Sequence, residues 1–163
     1  MLIKSVSGIR GIVGEGIDPS VVLEYAARFG IFTGRKKVAL GRDSRPSGKY
    51  LRHSAIAGLT GVGADVIDLG TLPTPTLLYY VRNSDISGGI VITASHNPIE
   101  WNALKLVSGN GEFLDKDAAE EFYSLENRGI KWVKAGEQGE YERRKDAVSL
   151  HMNGVIENNL INA

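Results

Sequence analysis

Between residues 36 and 107, short and mostly apolar runs alternate with stretches of helical period, and this alternation limits the possible folds more than any other feature of the chain. Val38-Ala39-Leu40, Val66 to Leu69 (broken by Asp68), Ile90-Val91-Ile92 and Ala103 to Val107 (broken by Lys105) are these runs. Their side chains point alternately to both faces, so a strand without polar alternation needs cover on both sides. The intervening segments supply that cover. Val22, Tyr25, Ala26 and Phe29 recur at helical spacing behind the start signal Asp18-Pro19, and Leu51, Ala55, Ile56 and Leu59 do the same before Gly61 and Gly63. Pro73 to Arg82 and Asp115 to Glu126 read as further helices. The expected fold class is therefore α/β, a mostly parallel sheet covered by helices on both faces.

Composition narrows the chemistry. The 163 residues, 42% hydrophobic and 23% charged, suffice for one packed domain. Nineteen basic and nineteen acidic residues cancel, so no summed field favours a nucleic acid or an anionic membrane as partner. The absence of cysteine removes disulfides, thiolate metal sites and a thiol nucleophile. Met1 to Arg10 lacks the apolar core of about 7 to 15 residues that a signal peptide needs, and the expected location is cytoplasmic. From Arg128 the texture changes to glycines and a charged run, Glu140 to Asp146, followed by a weakly periodic stretch. The expected organisation is a domain over 1–140 and a linker and helix over 141–163, with Val148, Met152, Val155 and Ile156 on one apolar side.

Most familiar site patterns are absent. Gly61-x-Gly63 closes a helix, with Val66 where a dinucleotide loop needs a third glycine, so it reads as a helix end. There is no Walker loop and no serine-hydrolase elbow, and His53, His96 and His151 are too far apart to form a helical metal pair. Thr93-Ala94-Ser95-His96-Asn97-Pro98 is different. It leaves a buried strand and is turned by Asn97-Pro98, which places a hydroxyl beside an imidazole at the carboxyl edge of the sheet, where such folds bind ligands. That pairing suits nucleophilic or phosphoryl-transfer chemistry.

These residues resemble domain 1 of the α-D-phosphohexomutases, the phosphoglucomutase and phosphomannomutase family, whose active serine lies in a Thr-Ala-Ser-His-Asn-Pro loop. Ser7-Gly8-Ile9-Arg10-Gly11, Gly41-Arg42-Asp43-Ser44-Arg45 with Ser47-Gly48, and Pro73-Thr74-Pro75 agree with the family in order. Trp101-Asn102-Ala103-Leu104-Lys105 stands where the family has Tyr-Asn-Gly and then a lysine, so a phenol and a glycine are replaced. The likeness runs over roughly residues 5 to 130. Its Thr-Ala-Ser opening leans toward gluco- and mannomutases over the glucosamine branch.

The resemblance implies roles. Ser95 would carry a phosphoryl group and exchange it with a hexose 1- or 6-phosphate through a bisphosphate. Lys105 would act as general acid or base, and Arg10 and His96 would steady the transferring group. Arg42, Asn97 and Asn102 are the candidate substrate- and phosphate-binding residues, with Arg42 and Arg45 expected chiefly to hold the loop through Asp43. Mg2+ would be bound through phosphorylated Ser95, its other ligands lying in a second domain. Members of the family are about three times longer, with further domains for metal, sugar and substrate phosphate. The expected partners are a hexose phosphate and those domains, or a second copy joined through the C-terminal tail, and the chain alone is expected to be inactive. The competing reading is a scaffold domain that keeps the fold without the chemistry.

Overall fold

The computed structural model describes residues 1–158. Two short strands, β1 (Ile3–Ser5) and β2 (Gly8–Ile12), form a hairpin and are followed by α1 (Pro19–Phe32), β3 (Val38–Arg42), α2 (Gly48–Gly61), β4 (Val66–Thr71), α3 (Thr74–Arg82), β5 (Gly88–Ile92) and β6 (Trp101–Ser108). Then come α4 (Lys116–Ser124), a 3-10 turn (Leu125–Asn127), β7 (Tyr141–Arg143) and α5 (Ala147–Ile156). The start signal of α1 works as its residues suggest: the Asp18 carboxylate accepts hydrogen bonds from the amides of Ser20 at 2.8 Å and Val21 at 2.9 Å. At the end of α2, Gly63 adopts φ +87° and its amide donates to the Thr60 carbonyl, so the glycine pair closes a helix. Among the described residues no helix is long and apolar enough to cross a membrane.

The strands form one sheet in the order β1-β2-β6-β5-β3-β4-β7. Strands β2, β5, β3, β4 and β7 point one way, β1 and β6 the other. The fold class is thus α/β with a sheet mostly parallel in strand direction, and helices lie on both faces. Val38, Leu40, Ile90, Ile92, Leu104 and Leu106 pack with α1, α2 and α4 on one face. Ala39, Ile67, Val91 and Val107 meet α3 and α5 on the other. This two-sided burial is why the central strands are mostly apolar, with buried Asp68 and Asn102 the polar exceptions. Helices α1 and α2 approach so closely that a Cβ on Gly58 would overlap the Leu23 carbonyl. Phe29, Phe32, Phe122 and Tyr25 form an aromatic cluster that joins α1 to α4.

The sheet does not stop at residue 140. β7 pairs in parallel with β4, Val66 opposite Tyr141 and Asp68 opposite Arg143. The Tyr141 hydroxyl donates to Asp68 Oδ2 at 2.8 Å. Three exposed residues, Tyr-Glu-Arg, have no apolar period, so the sequence showed a linker where pairing makes an edge strand. Helix α5, expected as part of a linker, instead packs on the sheet's cover, while its apolar side lacks a partner among the described residues, as expected. It packs on α3 through Ala147, Leu150, His151 and Gly154. His151 Nδ1 lies 3.0 Å from the Thr76 hydroxyl, its ring centroid is 4.9 Å from that of Tyr79, and the missing side chain of Gly154 admits the Tyr79 hydroxyl. The more apolar side, Val148, Met152, Val155 and Ile156, faces outward. Small and hydrogen-bonding residues won the contact because they allow the closer approach. The expected helical span also reached into 159–163, outside the described residues.

One buried ion pair ties the late elements to the sheet. Asp68 is fully buried on β4 and accepts from Arg52 Nε at 3.0 Å and Nη2, from the Tyr141 hydroxyl, and through Oδ1 from the Gly70 amide at 3.0 Å. Burial alone would raise its carboxyl, but Arg52, Tyr141 and Gly70 outweigh that and hold it below its ordinary value. Asp68→Asn leaves Arg52 without its carboxylate and is expected to cost about 2–4 kcal/mol. A group with a depressed native pKa stabilises above its unfolded pKa and loses that contribution as pH falls through the native value. The difference in urea midpoint between wild type and Asp68→Asn should therefore be full at neutral pH and shrink as pH falls below about 4. An unchanged difference in acid would show that the charge is not its source.

Candidate functional site

Strand β5 ends at Ile92, and the chain turns through residues 93–98 before returning as the antiparallel strand β6. The turn is held from within. The Thr93 hydroxyl donates to Asp43 Oδ2 at 2.7 Å and accepts from the Ser95 amide at 3.1 Å. Asn97 gives both its backbone amide, at 3.1 Å, and its side-chain amide, at 2.7 Å, to the Ala94 carbonyl. Ser95 takes a left-handed conformation, φ +56°. A non-glycine residue there costs about 1–3 kcal/mol and persists only when its surroundings enforce it.

Arg45 supplies that enforcement. Its Nη2 donates to the carbonyls of Ser95 at 2.9 Å and Asn97 at 2.6 Å, and Nη1 to those of Pro98 at 2.6 Å and Trp101 at 3.3 Å. Its Nε pairs with Asp43 Oδ2 at 3.2 Å, and the other carboxylate oxygen accepts the Arg45 amide at 2.9 Å. One planar fork gathers four carbonyls that would otherwise crowd one another, which a lysine cannot do. The Ser95 side chain is thereby presented outward at the sheet edge.

Pairing of β2 with β6 brings the cations. Arg10 stands opposite Ala103 and Gly8 opposite Lys105, on one face of the sheet. Each cation thus faces a residue with almost no side chain, which leaves a trough between them. No Cβ could be added at Gly8, which has φ +121° and lies against the Leu104 carbonyl. The Lys105 ammonium sits 5.3 Å from the centroid of the Phe113 ring, a cation–π contact that limits where it can reach. His96 Nδ1 is 3.5 Å from Ser95 Oγ. Together these residues, with Ser5 and Ser7, enclose a cleft of about 170 Å³. No carboxylate lines it, so the cleft is electropositive in a chain of zero net charge.

Of the expected residues, Ser95, His96, Asn97, Lys105 and Arg10 meet in this cleft. Arg42 and Asn102 do not. Arg42 donates through Nη1 to the Asp43 carbonyl at 2.8 Å and lines a separate depression beside α2. Asn102 is fully buried; its amide donates to Ser47 Oγ at 2.8 Å and its carbonyl accepts the Ala103 amide, tying β6 to the start of α2. Of the two arginines expected to hold the loop, Arg45 makes an ion pair with Asp43 and Arg42 meets only its carbonyl. Phe113 and Ser5 carry no signal in the sequence, since contact with Lys105 or with the cleft across strands leaves no mark in spacing.

The donor set does not suit a divalent metal. Among the described residues no three His, Asp or Glu side chains come together. Asp43, the carboxylate beside the loop, is occupied by Thr93 and Arg45. Mg2+ is ordinarily held by one or two carboxylates together with phosphate oxygens and water, and the cleft lining offers no carboxylate.

An outward serine on a strained strand-end turn, in a cleft lined by Arg10, His96 and Lys105 and by no carboxylate, makes this carboxyl edge the candidate ligand site of an α/β domain. The family model for phosphoglucomutase/phosphomannomutase, alpha/beta/alpha domain I, matches residues 1–130, and the chain belongs to that family. It is 38% identical over 157 residues to a phosphoglucomutase/phosphomannomutase of Thermococcus kodakarensis, covering 91% of this chain and 34% of that protein. To a probable phosphoglucosamine mutase of Methanopyrus kandleri it is 35% identical over 151 residues, covering 93% and 33%. A crystal structure of a phosphoglucomutase/phosphomannomutase family protein from Burkholderia thailandensis superposes with TM-score 0.78 at 26% identity, over 95% of this chain and 36% of that one. The chain spans about a third of the length of these relatives. Both branches occur among them at similar identity, so the lean toward gluco- and mannomutases gains nothing from the comparison.

If the Arg45 fork enforces the serine turn, Arg45→Ala should leave the α/β core folded and lower Tm by roughly 5–10 °C, each hydrogen bond from a charged donor contributing about 1.5–3 kcal/mol before relaxation. Hydrogen exchange should quicken over residues 93–101 and stay unchanged in α1 and α2. Arg45→Lys should restore little. Unaltered exchange in the turn would overturn this role.

Proposed function

We propose that this chain is the phosphoserine-bearing domain of a phosphohexomutase, and that Ser95 accepts and donates the phosphoryl group. The reading rests on one observation above the others: Ser95 is held left-handed and outward by the Arg45 fork while Arg10, His96 and Lys105 converge on the same small cleft. Phosphoryl transfer needs little beyond position and positive charge, and this cleft supplies both.

In the proposed step a hydroxyl of a hexose phosphate attacks the phosphorus carried on Ser95. The new P–O bond forms as the bond to Ser95 Oγ breaks, and the departing serine oxygen recovers a proton. In this reading Lys105, which lines the same cleft, exchanges the protons of the two hydroxyls, its reach limited by the Phe113 ring. Arg10, across the trough formed by Gly8 and Ala103, neutralises the equatorial oxygens. His96, beside Ser95 Oγ, donates to the same group, and Asn97 keeps the turn closed. The family's relatives are mutases by name, and hexose 1- and 6-phosphates are the proposed substrates. Specificity among glucose, mannose and glucosamine is assigned to parts of the relatives beyond this chain.

Two measurements test the reading. Incubation with glucose 1,6-bisphosphate should add a single phosphoryl group, about 80 Da by intact mass, on the peptide containing Ser95. Ser95→Ala should abolish the addition, and Lys105→Ala should slow it by roughly 100-fold or more. Labelling of another residue, or none, would sink the proposal. A coupled assay of the isolated chain with glucose 1-phosphate should in contrast show no turnover approaching the ordinary rate of about 10 per second, because the full cycle needs the bisphosphate to be held while it reorients between two transfers, whereas labelling needs one transfer only.

A further inference from the structure

A second depression, of about 260 Å³, lies at the carboxyl ends of β3 and β4 and shares no lining residue with the serine cleft. Arg42, Lys49, Arg52, His53, Thr71 and Arg143 line it, and no carboxylate side chain does. One of these charges is already matched. Arg52 spends Nε and Nη2 on buried Asp68, and Nη2 also donates to Tyr141, so its remaining nitrogen, Nη1, is oriented by a fixed partner. Arg42, Lys49 and Arg143 form no ion pair within 4.0 Å among the described residues. Three cations thus converge on a concave surface with nothing of opposite sign facing them.

The helix beside them sharpens the imbalance. Lys49, Arg52 and His53 occupy the opening turns of α2, where the backbone dipole is positive and acidic residues are favoured. The first turn of α2 carries no acidic residue, and Ser47, at its cap position, makes no side-chain bond to the helix amides. Instead the Ser47 hydroxyl accepts from Asn102. The amides of Gly48, Lys49 and Leu51 already donate to the carbonyls of Arg45, Pro46 and Ser47, so what stands unmatched here is side-chain charge, and cations at a helix start oppose the local dipole. An anion seated here would offset the three unpaired cations at once. The volume suits one phosphoryl group with a small organic remainder, and the cluster is too confined for a polyanion.

We infer that this depression is a second phosphoryl-binding site, which takes the dianion of inorganic phosphate or of a small phosphate monoester through Arg42, Arg52 and Arg143, with Lys49 at the mouth. Binding here does not depend on phosphotransfer by Ser95. The experiment is a titration of the isotope-labelled full chain with inorganic phosphate at low salt, following backbone amide resonances. Saturable shifts at Lys49, Gly70 and Thr71, with a dissociation constant of about 1 mM or lower, are expected. Lys49→Gln/Arg143→Gln changes two exposed side chains and should weaken this binding by roughly tenfold or more while the thermal melt and the shifts at Gly8 and Ser95 keep their midpoints. Ser95→Ala should leave it intact. Glucose 6-phosphate distinguishes the two sources: an equal midpoint means the phosphoryl group alone is read, a lower one that the sugar is read too. Shifts confined to the serine cleft, or an unchanged midpoint in the double variant, would overturn the inference while leaving the proposed role of Ser95 standing.

Discussion

Arg45 is the constraint on which the site depends. Four carbonyl oxygens of the 93–101 segment point toward one another because the chain reverses between two antiparallel strands, and only a planar cation with several donors can collect them. Asp43 fixes that cation and, through Thr93, the residue two positions before Ser95. Position and strain at Ser95 therefore come from a contact between two loops about fifty residues apart in sequence. Both loops leave the carboxyl ends of parallel neighbours, β3 and β5, so the sheet itself brings them together.

Charge is organised by the same edge. The chain carries equal numbers of acids and bases, yet two concave regions without lining carboxylates open at the strand ends. Acidic side chains nearby are neutralised inside the protein: Asp43 by Arg45, Asp68 by Arg52 and Tyr141. Net charge thus says little about local field. The potential at each depression is set by which cations remain unpaired after the structural ones have found partners.

Helix α5 shows how packing chooses between faces. Burying Val148, Met152, Val155 and Ile156 would remove more apolar area from water, but the face with Gly154, Ala147 and His151 fits the Tyr79 ring and the Thr76 hydroxyl. The packed face thus gains close approach and a satisfied hydrogen bond. The chain spans about a third of its relatives' length, and the uncovered stripe is a feature of this domain taken by itself.

The order of the central strands' signals, the helix start at Asp18-Pro19 and the serine turn were all legible in the sequence, because each rests on neighbours within one turn or one strand. Apolar runs, caps and the Asn-Pro turn are local chemistry. The β1–β2 hairpin and β7 were not legible, since strands of three to five residues with glycine or charge have no period to read. Nor could spacing separate Arg10 and Lys105, which converge on the cleft, from Arg42 and Asn102, which turn away from it. That sorting follows from cross-strand register and from which side of the pleat each residue occupies. Sequence determined which central segments become strands and where Ser95 stands; the pairing of distant strands decided which cations share its cleft, because a sheet joins residues by register and not by their distance along the chain.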